Sequence, residues 1–262
     1  MSDTSFEVVA LASGEVTAEV VPARGALVTA LRIGGKDVLY LDQATLADPT
    51  KNVRGGIPLL FPFAGKLADE TFALTGTKMK QHGFGRNRAW SVTERDATSV
   101  RMTLAADAET RAQWPYAFTA HHTVMLVPRG LQLELTIVAA EQALPISPGW
   151  HPYFAIAAAD KGAVRGDVAG VTADRLGDDR EFDFGVPAPL EGRARFTLPG
   201  LGTLRIDASP ELRHLQFWSQ PGKPFICIEP FFGPAGTVNT ERRGWVPVGQ
   251  ARTSWMRIRL AA

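Results

Sequence analysis

The amino-acid sequence predicts an all-β fold in which antiparallel strands form a sandwich or a barrel. Short segments that alternate between apolar and polar residues recur along the chain. Glycines and prolines separate them at short intervals, with 25 Gly and 18 Pro in 262 residues. Helical periodicity is weak throughout. Many short strands joined by Gly- and Pro-rich turns are typical of antiparallel all-β architectures.

The first predicted strands lie near the N-terminus. Residues 16–21 and 26–33 are rich in β-branched and aliphatic side chains, as strands are. Residues 34–37, which begin with two glycines, supply a hairpin-type turn into a third strand at 38–41. The clearest helix candidate is the short segment 107–113, which ends shortly before a proline.

Later segments alternate more regularly. In residues 131–138 every second residue is aliphatic, which predicts a strand with one face on the core and one toward water. The aliphatic residues are Leu131, Leu133, Leu135 and Ile137. Residues 256–260 follow the same pattern. Residues 160–200, rich in Gly, Asp and Arg, predict loops and edge hairpins.

A further strand at 118–127 contains two adjacent histidines. His121 and His122 must point to opposite faces of the strand, so they cannot bind one metal ion together. His122 shares its face with apolar residues, which favours a core histidine with a satisfied hydrogen bond.

The composition indicates an ordinary globular protein. The hydrophobic fraction is 45%, the charged fraction 21% and the formal net charge +1, which argues against a disordered chain and against a nucleic-acid partner. The one cysteine, Cys227, excludes an internal disulfide framework. Residues 1–7 lack the features of a signal peptide, and no apolar run reaches membrane-spanning length. We therefore expect a single domain over residues 1–262, in the cytoplasm and without a membrane partner.

One segment, residues 148–154, surrounds a histidine with Gly, Pro and aromatic residues. Pro152 biases the backbone of His151 toward an extended conformation and interrupts any strand that runs through it. We therefore expect His151 at the end of a strand in an apolar setting. Such a setting perturbs the pKa of a histidine and suits it to proton transfer. The alternative is a core histidine that bonds a backbone carbonyl.

Two other segments combine basic residues with glycines. Arg54 precedes a Gly-Gly pair in a proline-stiffened loop, where its guanidinium could bind hydroxyls, a carboxylate or a phosphate. Residues 81–90 contain His82, Arg86 and Arg88 among glycines, as a polar ligand site would. The alternatives are a solvated arginine beside a turn and an exposed basic turn. The glycine spacing excludes a nucleotide-binding P-loop.

Glu229 stands in an otherwise apolar segment, residues 224–233. With a period of two, Phe225, Cys227 and Glu229 face the same side of this predicted strand. An ionised carboxylate is costly to bury unless it is paired, so Glu229 either joins a structural ion pair or lines a cleft as a base. The cleft is favoured because such carboxylates collect at functional sites. No His/Cys spacing fits a metal site, and no nucleotide fingerprint indicates a cofactor.

Together these segments resemble the aldose 1-epimerase (galactose mutarotase-like) family, in its compact bacterial branch. The resemblance runs in order through residues 54–62, 82–86, 149–154 and 228–230. It implies a large antiparallel β-sandwich, the galactose mutarotase-like supersandwich, with a sugar in an open cleft. It also implies a cofactor-free interconversion of the α and β anomers of a free sugar.

The resemblance also implies roles for individual residues. His151 matches the general acid of the family and Glu229 the general base. His82 and Arg54 match residues that hold the hydroxyls of the sugar, with Arg86 as a helper. The longer relatives grip the sugar with an Asp that has no evident counterpart here, and we expect Trp218 and its neighbours to replace it.

The implied reaction removes a proton from the C1 hydroxyl and delivers one to the ring oxygen. We expect the carboxylate and the histidine on opposite sides of the sugar ring. The expected partner is a monosaccharide or a sugar phosphate, and the expected assembly a monomer or homodimer. Two alternatives remain open. One is a hexose-6-phosphate mutarotase, in which Arg54, Lys66, Arg86 or Arg88 holds the phosphate. The other is a non-catalytic carbohydrate-binding protein.

Overall fold

The computed structural model describes residues 6–177 and 179–261. The expectations for residues 1–5 and for the ends of the predicted domain lie outside the described residues. Strands dominate the described part of the chain. They are β1 (Val9–Ser13), β2 (Val16–Val21), β3 (Leu27–Ile33), β4 (Lys36–Asp37), β5 (Leu59–Leu60), β6 (Thr71–Phe72), β7 (Thr77–Lys78), β8 (Ser91–Arg95), β9 (Ser99–Ala105), β10 (Phe118–Val127), β11 (Gly130–Ala139), β12 (Leu144–Pro145), β13 (Gly149–Trp150), β14 (Tyr153–Ala155), β15 (Arg165–Gly166), β16 (Phe182–Pro187), β17 (Arg193–Leu198), β18 (Gly202–Ala208), β19 (His214–Ser219), β20 (Phe225–Phe231), β21 (Trp245–Val246) and β22 (Ala251–Leu260).

The helices are short. The α-helices are α1 (Gln43–Ala47), α2 (Ala108–Gln113), α3 (Ala173–Leu176) and α4 (Thr237–Thr240). Short 3-10 helices lie at Pro22–Arg24, Ala68–Glu70, Gly85–Asn87, Ala158–Ala163 and Arg242–Gly244. None of the helices in the described ranges is long and apolar enough to cross a membrane.

Two large antiparallel sheets form the sandwich. The larger has eight strands in the order β15-β17-β18-β22-β11-β10-β9-β8. The second runs β16-β19-β20-β13-β5, with β14 paired to β20 beside β13. A four-stranded meander of β1 to β4 and two small strand pairs complete the structure. The predicted all-β, antiparallel sandwich is therefore confirmed.

The core lies between the two large sheets. The aliphatic face predicted for residues 131–138 is buried on β11, where Leu133 and Leu135 are each 1% exposed. Contacts join the two sheets directly: the Trp150 Nε1–H donates to Nε2 of His122 at 3.2 Å, and Phe196 lies edge-on to Phe217. His122 is thus a core histidine as the sequence predicted, although it is satisfied only at Nε2, since its buried Nδ1 has no hydrogen-bond partner in the described part of the chain. Burial lowers its pKa to about 3.

Most predicted elements occur where the pattern placed them. The helix at 107–113 forms as α2, which Asp107 caps by accepting from the Thr110 N–H, with Thr110 Oγ1 bonding back to the Asp107 N–H. The third strand expected at 38–41 is wrong. After β4 the Val38 N–H still bonds Leu31, whereas the Tyr40 N–H bonds the Tyr153 carbonyl of the second sheet. The segment thus bonds first to β3 and then to β14, and it forms no continuous strand with either.

The region 160–200 contains more regular structure than loops and hairpins. It adds an edge strand to each large sheet, β15 to the eight-stranded sheet and β16 to the second one. The edge strand β16 borders the candidate site and supplies a carboxylate to it.

Candidate active site

A pocket of about 420 Å³ opens on the face of the second sheet that points away from the core. Ligand pockets for small molecules commonly start at about 300 Å³, so a monosaccharide fits this volume. The pocket brings together the six residues predicted to act as acid, base or sugar ligands. They are Arg54, His82, Arg86, His151, Trp218 and Glu229.

Strand register explains why side chains from distant parts of the chain meet here. Across the sheet, Asp183 of β16 pairs with Trp218 of β19, Trp218 with Cys227 of β20, and Cys227 with Tyr153 of β14. Side chains paired in register point to the same face of a sheet. One residue pair further along, Gln216 of β19 lies opposite Glu229. The pocket floor therefore consists of two adjacent rows of paired side chains.

His151 lies between β13 and β14, at the interruption that Pro152 predicts. Its N–H donates to the Pro58 carbonyl at 3.0 Å, which fixes the backbone outside the strand ladder. The imidazole stacks on the Tyr153 ring at 4.7 Å and meets Trp218 edge-on at 5.9 Å. His151 is only 6% exposed, so the expected apolar position at a strand end is confirmed.

His151 and Glu229 form a buried pair. Nε2 of His151 lies 3.4 Å from Oε2 of Glu229, and Glu229 is 1% exposed. The two groups stand side by side on the pocket floor. A sugar ring does not fit between two groups that are 3.4 Å apart. The expected placement of the acid and the base on opposite sides of the ring is therefore wrong.

Burial favours the uncharged form of both partners. It lowers the pKa of His151 to about 3, and the nearby Arg86 guanidinium lowers it further. Burial, with a smaller effect of the Asp183 carboxylate, raises the pKa of Glu229 well above its usual range, and Arg86 opposes this shift. Burial therefore favours a neutral imidazole beside a neutral carboxyl over the ion pair.

His82 is held in a strained and well-defined position. Its φ angle is +69°, in the left-handed region that few non-glycine residues adopt. Its backbone N–H donates to the Gly65 carbonyl, and the Gly65 N–H donates to Nδ1 of His82, each at 2.9 Å. Nδ1 is thus an acceptor, so the neutral ring carries its proton on Nε2. Burial, followed by the charge of Arg86, keeps the pKa of His82 well below its usual value.

The segment that carries Arg54 is anchored by an arginine outside the pocket. Nη2 of Arg24 donates to the carbonyls of Thr45, Asp48 and Lys51 at 2.9–3.0 Å. The Arg54 N–H then bonds Oγ1 of Thr45 at 2.9 Å. The Arg54 guanidinium lies over the Trp218 ring, 5.3 Å from its centre.

Three cationic side chains line the pocket, from Arg54, Lys66 and Arg86. Among the described residues, none of the three forms an ion pair with a carboxylate. Arg86 donates from Nη2 to the Gln81 carbonyl, and its buried Nε has no hydrogen-bond partner in the described part of the chain. Burial lowers the pKa of Arg86 to about 10, so it remains charged at neutral pH.

Arg88 does not belong to this group. Its guanidinium pairs with Asp107 and Glu109 at the start of α2, and the side chain does not line the pocket. Of the four residues considered as phosphate ligands, the structure thus brings three together and separates the fourth.

Sequence reasoning missed the acidic side of the pocket. Asp183 and Glu181 line it from β16 and the residue before it, and the Gln216 amide donates to Asp183. Trp218 and Gln220 line the pocket next to Asp183, so the expected replacement segment and a carboxylate stand together. The alternation Glu-Phe-Asp-Phe at 181–184 was the available signal, since it is typical of a strand with an acidic outer face.

Three potential metal-binding groups meet at the pocket floor, where His151 and Glu229 line the pocket and Cys227 is buried beside them. Within the described residues, donor atoms of His151, Cys227 and Glu229 all lie within 4.8 Å of one another. Sequence spacing gave no sign of this cluster because its members come from β20 and the loop before β14.

Comparisons with known proteins agree with the fold. Residues 7–195 match the family described as Aldose 1-epimerase. An Escherichia coli (strain K12) protein named "Putative glucose-6-phosphate 1-epimerase" is 30% identical over 154 residues, which cover 55% of this chain and 44% of that protein. The chain thus matches less than half the length of this curated relative.

Solved structures match over nearly the whole chain. The Slr1438 protein of Synechocystis sp. PCC 6803 has a TM-score of 0.90 and 26% identity, with 99% of this chain and 97% of that one covered. A galactose mutarotase-like protein from Clostridium acetobutylicum has a TM-score of 0.80, 17% identity and coverages of 98% and 96%, which shows the shared fold. The family match at residues 7–195 covers well over half of this chain. The chain therefore belongs to the aldose 1-epimerase family.

Proposed function

We propose that this protein is a mutarotase that interconverts the α and β anomers of a hexose 6-phosphate, with Glu229 as base and His151 as acid. The observation that carries the proposal is the buried pair at 3.4 Å on the floor of a pocket of sugar size. A protein that only binds a sugar has no need of an acid and a base in contact. The names of the related proteins support the same reaction class.

Side-by-side groups suit this reaction because the two oxygens that exchange protons share one carbon. The C1 hydroxyl and the ring oxygen are both bonded to C1, so both lie at the same edge of the sugar. A carboxylate facing the hydroxyl and an imidazole facing the ring oxygen can then act together without moving. The acid and the base therefore approach the same edge of the sugar and not its opposite sides.

The proton balance closes within the pair. The reaction starts from ionised Glu229 and protonated His151. Glu229 takes the proton of the C1 hydroxyl while His151 gives its proton to the ring oxygen, and the C1 to ring-oxygen bond breaks. The open-chain aldehyde then faces a protonated carboxyl and a neutral imidazole. Rotation about the C1–C2 bond and the reverse proton transfers close the ring on its other face.

Burial assists the step that opens the ring. The low pKa of His151 and the raised pKa of Glu229 favour the uncharged pair, which is the form present when the sugar is open. An imidazolium that is easily deprotonated is a strong acid, and a carboxylate that is easily protonated is a strong base. The dry floor thus increases the driving force of both proton transfers.

The basic side of the pocket supports a phosphorylated substrate. Arg54 and Lys66 are exposed and Arg86 is half-buried, and none of the three has a carboxylate partner among the described residues. A phosphate dianion supplies the missing charge, and an arginine fork matches its oxygens. The Nε2–H of His82 offers a further donor beside Arg86.

Anomer exchange across a panel of sugars tests this proposal. Magnetisation-transfer NMR measures the exchange rate of glucose 6-phosphate, glucose, galactose and mannose with and without the protein. We expect the largest acceleration for the phosphorylated hexose. Acceleration of free sugars alone would retain the reaction and reject the phosphate; binding without acceleration would favour a carbohydrate-binding protein.

A further inference from the structure

We propose that His151 and Glu229 of the pocket floor form a zinc site together with Cys227, which is buried beside them, and that a bound zinc ion excludes the sugar and inhibits the enzyme. The inhibition rests on the proposed function, whereas the binding of the ion does not. The metal would be an inhibitor here and not a cofactor, because it occupies the groups that transfer protons.

The three donors are those that zinc prefers. Zinc in proteins takes thiolate sulfur, imidazole nitrogen and carboxylate oxygen, usually in a tetrahedron. The donor atoms lie within 4.8 Å of one another, and the nitrogen and oxygen are 3.4 Å apart. A single ion can reach all three with small side-chain movements. Calcium and magnesium are disfavoured because they require mostly oxygen ligands.

The backbone holds the donors in place. Cys227 and Glu229 are two residues apart on β20, so both side chains point to the pocket face. Register places Cys227 between Tyr153 and Trp218, and it is fully buried under them. His151 stacks on the same Tyr153 ring. Because His151 and Glu229 line the pocket, an ion held by the three donors would occupy the place where the sugar meets the acid and the base.

Two arginines stand near the donors, and they would repel a dication that brought its full charge into the pocket. Arg54 and Arg86 both line the pocket beside His151 and Glu229. Zinc binds thiolate, neutral imidazole and carboxylate, so its binding releases protons, and the negative ligands offset the charge of the ion.

Metal titration of the apoprotein tests the site without any sugar. Protein dialysed against a chelator is titrated calorimetrically with Zn²⁺, and with Co²⁺ to observe the absorption of a cobalt-thiolate bond. We expect one ion per chain and a thiolate band. Cys227→Ser should weaken zinc binding at least about 10-fold and abolish the band. His121→Asn, which removes a histidine on the opposite sheet, is the control and should bind like the parent.

Three results would overturn the proposal: no saturable zinc binding to the parent, equal affinity in Cys227→Ser, or loss of binding in His121→Asn. If Cys227→Ser does not fold, the absence of a thiolate band in the parent is decisive by itself. Where a sugar is turned over, zinc should raise its KM and leave kcat unchanged, and Cys227→Ala should relieve this inhibition. Zinc binding with no turnover of any sugar would reject the proposed enzyme and retain the site.

Discussion

Replacing Glu229 by Gln is the most direct test of the acid–base pair. The amide keeps the shape of the side chain and cannot accept the proton of the C1 hydroxyl. Positioned proton transfer contributes roughly 10²–10⁴-fold to a rate, so kcat should fall by about that factor. KM should change little, because the lost interaction belongs to the transition state. NMR exchange at saturating sugar measures both constants.

The same substitution should stabilise the folded protein at neutral pH. Because the pKa of Glu229 is raised in the folded state, ionisation of this group opposes folding above its unfolded value, near 4.5. The opposition grows as the pH rises from there toward the folded pKa, and it is absent at lower pH. The Tm of Glu229→Gln should therefore exceed that of the parent at pH 8, and the difference should shrink toward pH 4.

A matched control separates these effects from the loss of any carboxylate. Glu134 lies on β11, with its side chain on the outward face of the eight-stranded sheet. Glu134→Gln should leave both kcat and Tm close to the parent values. A Glu229→Gln variant with near-parent kcat would refute the role of Glu229 as base, and the carboxyl would then be a structural partner of His151.

Three further predictions concern the phosphate, the pH and metal ions. Arg86→Ala should lower kcat/KM at least about 10-fold more for glucose 6-phosphate than for a free sugar, because a charge-assisted hydrogen bond is worth about 1.5–3 kcal/mol; equal losses on both substrates would indicate hydroxyl binding. The kcat of the parent on a free sugar should fall in acid only toward the His151 pKa of about 3, and in base above the raised pKa of Glu229. An acid limb centred near the ordinary glutamate pKa of 4.5 would show that burial does not perturb the pair. Dialysis against a chelator should leave kcat unchanged or raise it, and an activity that zinc restores would contradict acid–base catalysis by the pair.

Much of the fold followed from local pattern. The period-two alternation of β11 identifies both the strand and its buried face, because each aliphatic residue has only one side of a sheet to point to. The position of His151 followed from Pro152, which cannot continue a ladder. His122 was recognisable as a core histidine by its apolar neighbours alone. Each of these predictions depends on a residue and its immediate neighbours in the chain.

The features that sequence reasoning missed depend on strand pairing. Asp183 reaches the pocket only because β16 joins β19 at the edge of the second sheet, and the pattern at 182–187 does not specify that partner. Arg86 and Arg88 are equally basic and two residues apart. The 3-10 turn Gly85–Asn87 directs one into the pocket, and the acidic first turn of α2 captures the other.

The placement of the acid and base beside each other has a physical consequence for the whole site. On opposite sides of a sugar, the acid and the base could each remain solvated, whereas the burial of a pair in contact disfavours the charged form of both members. The folded protein then disfavours the imidazolium of His151 and the carboxylate of Glu229, which are the two forms that start the reaction. Burial of the pair thus makes the folded protein less stable and the two groups more reactive in proton transfer, a trade-off that is common at active sites. The rise in Tm of Glu229→Gln and its loss of kcat therefore have one cause, and each measurement checks the interpretation of the other.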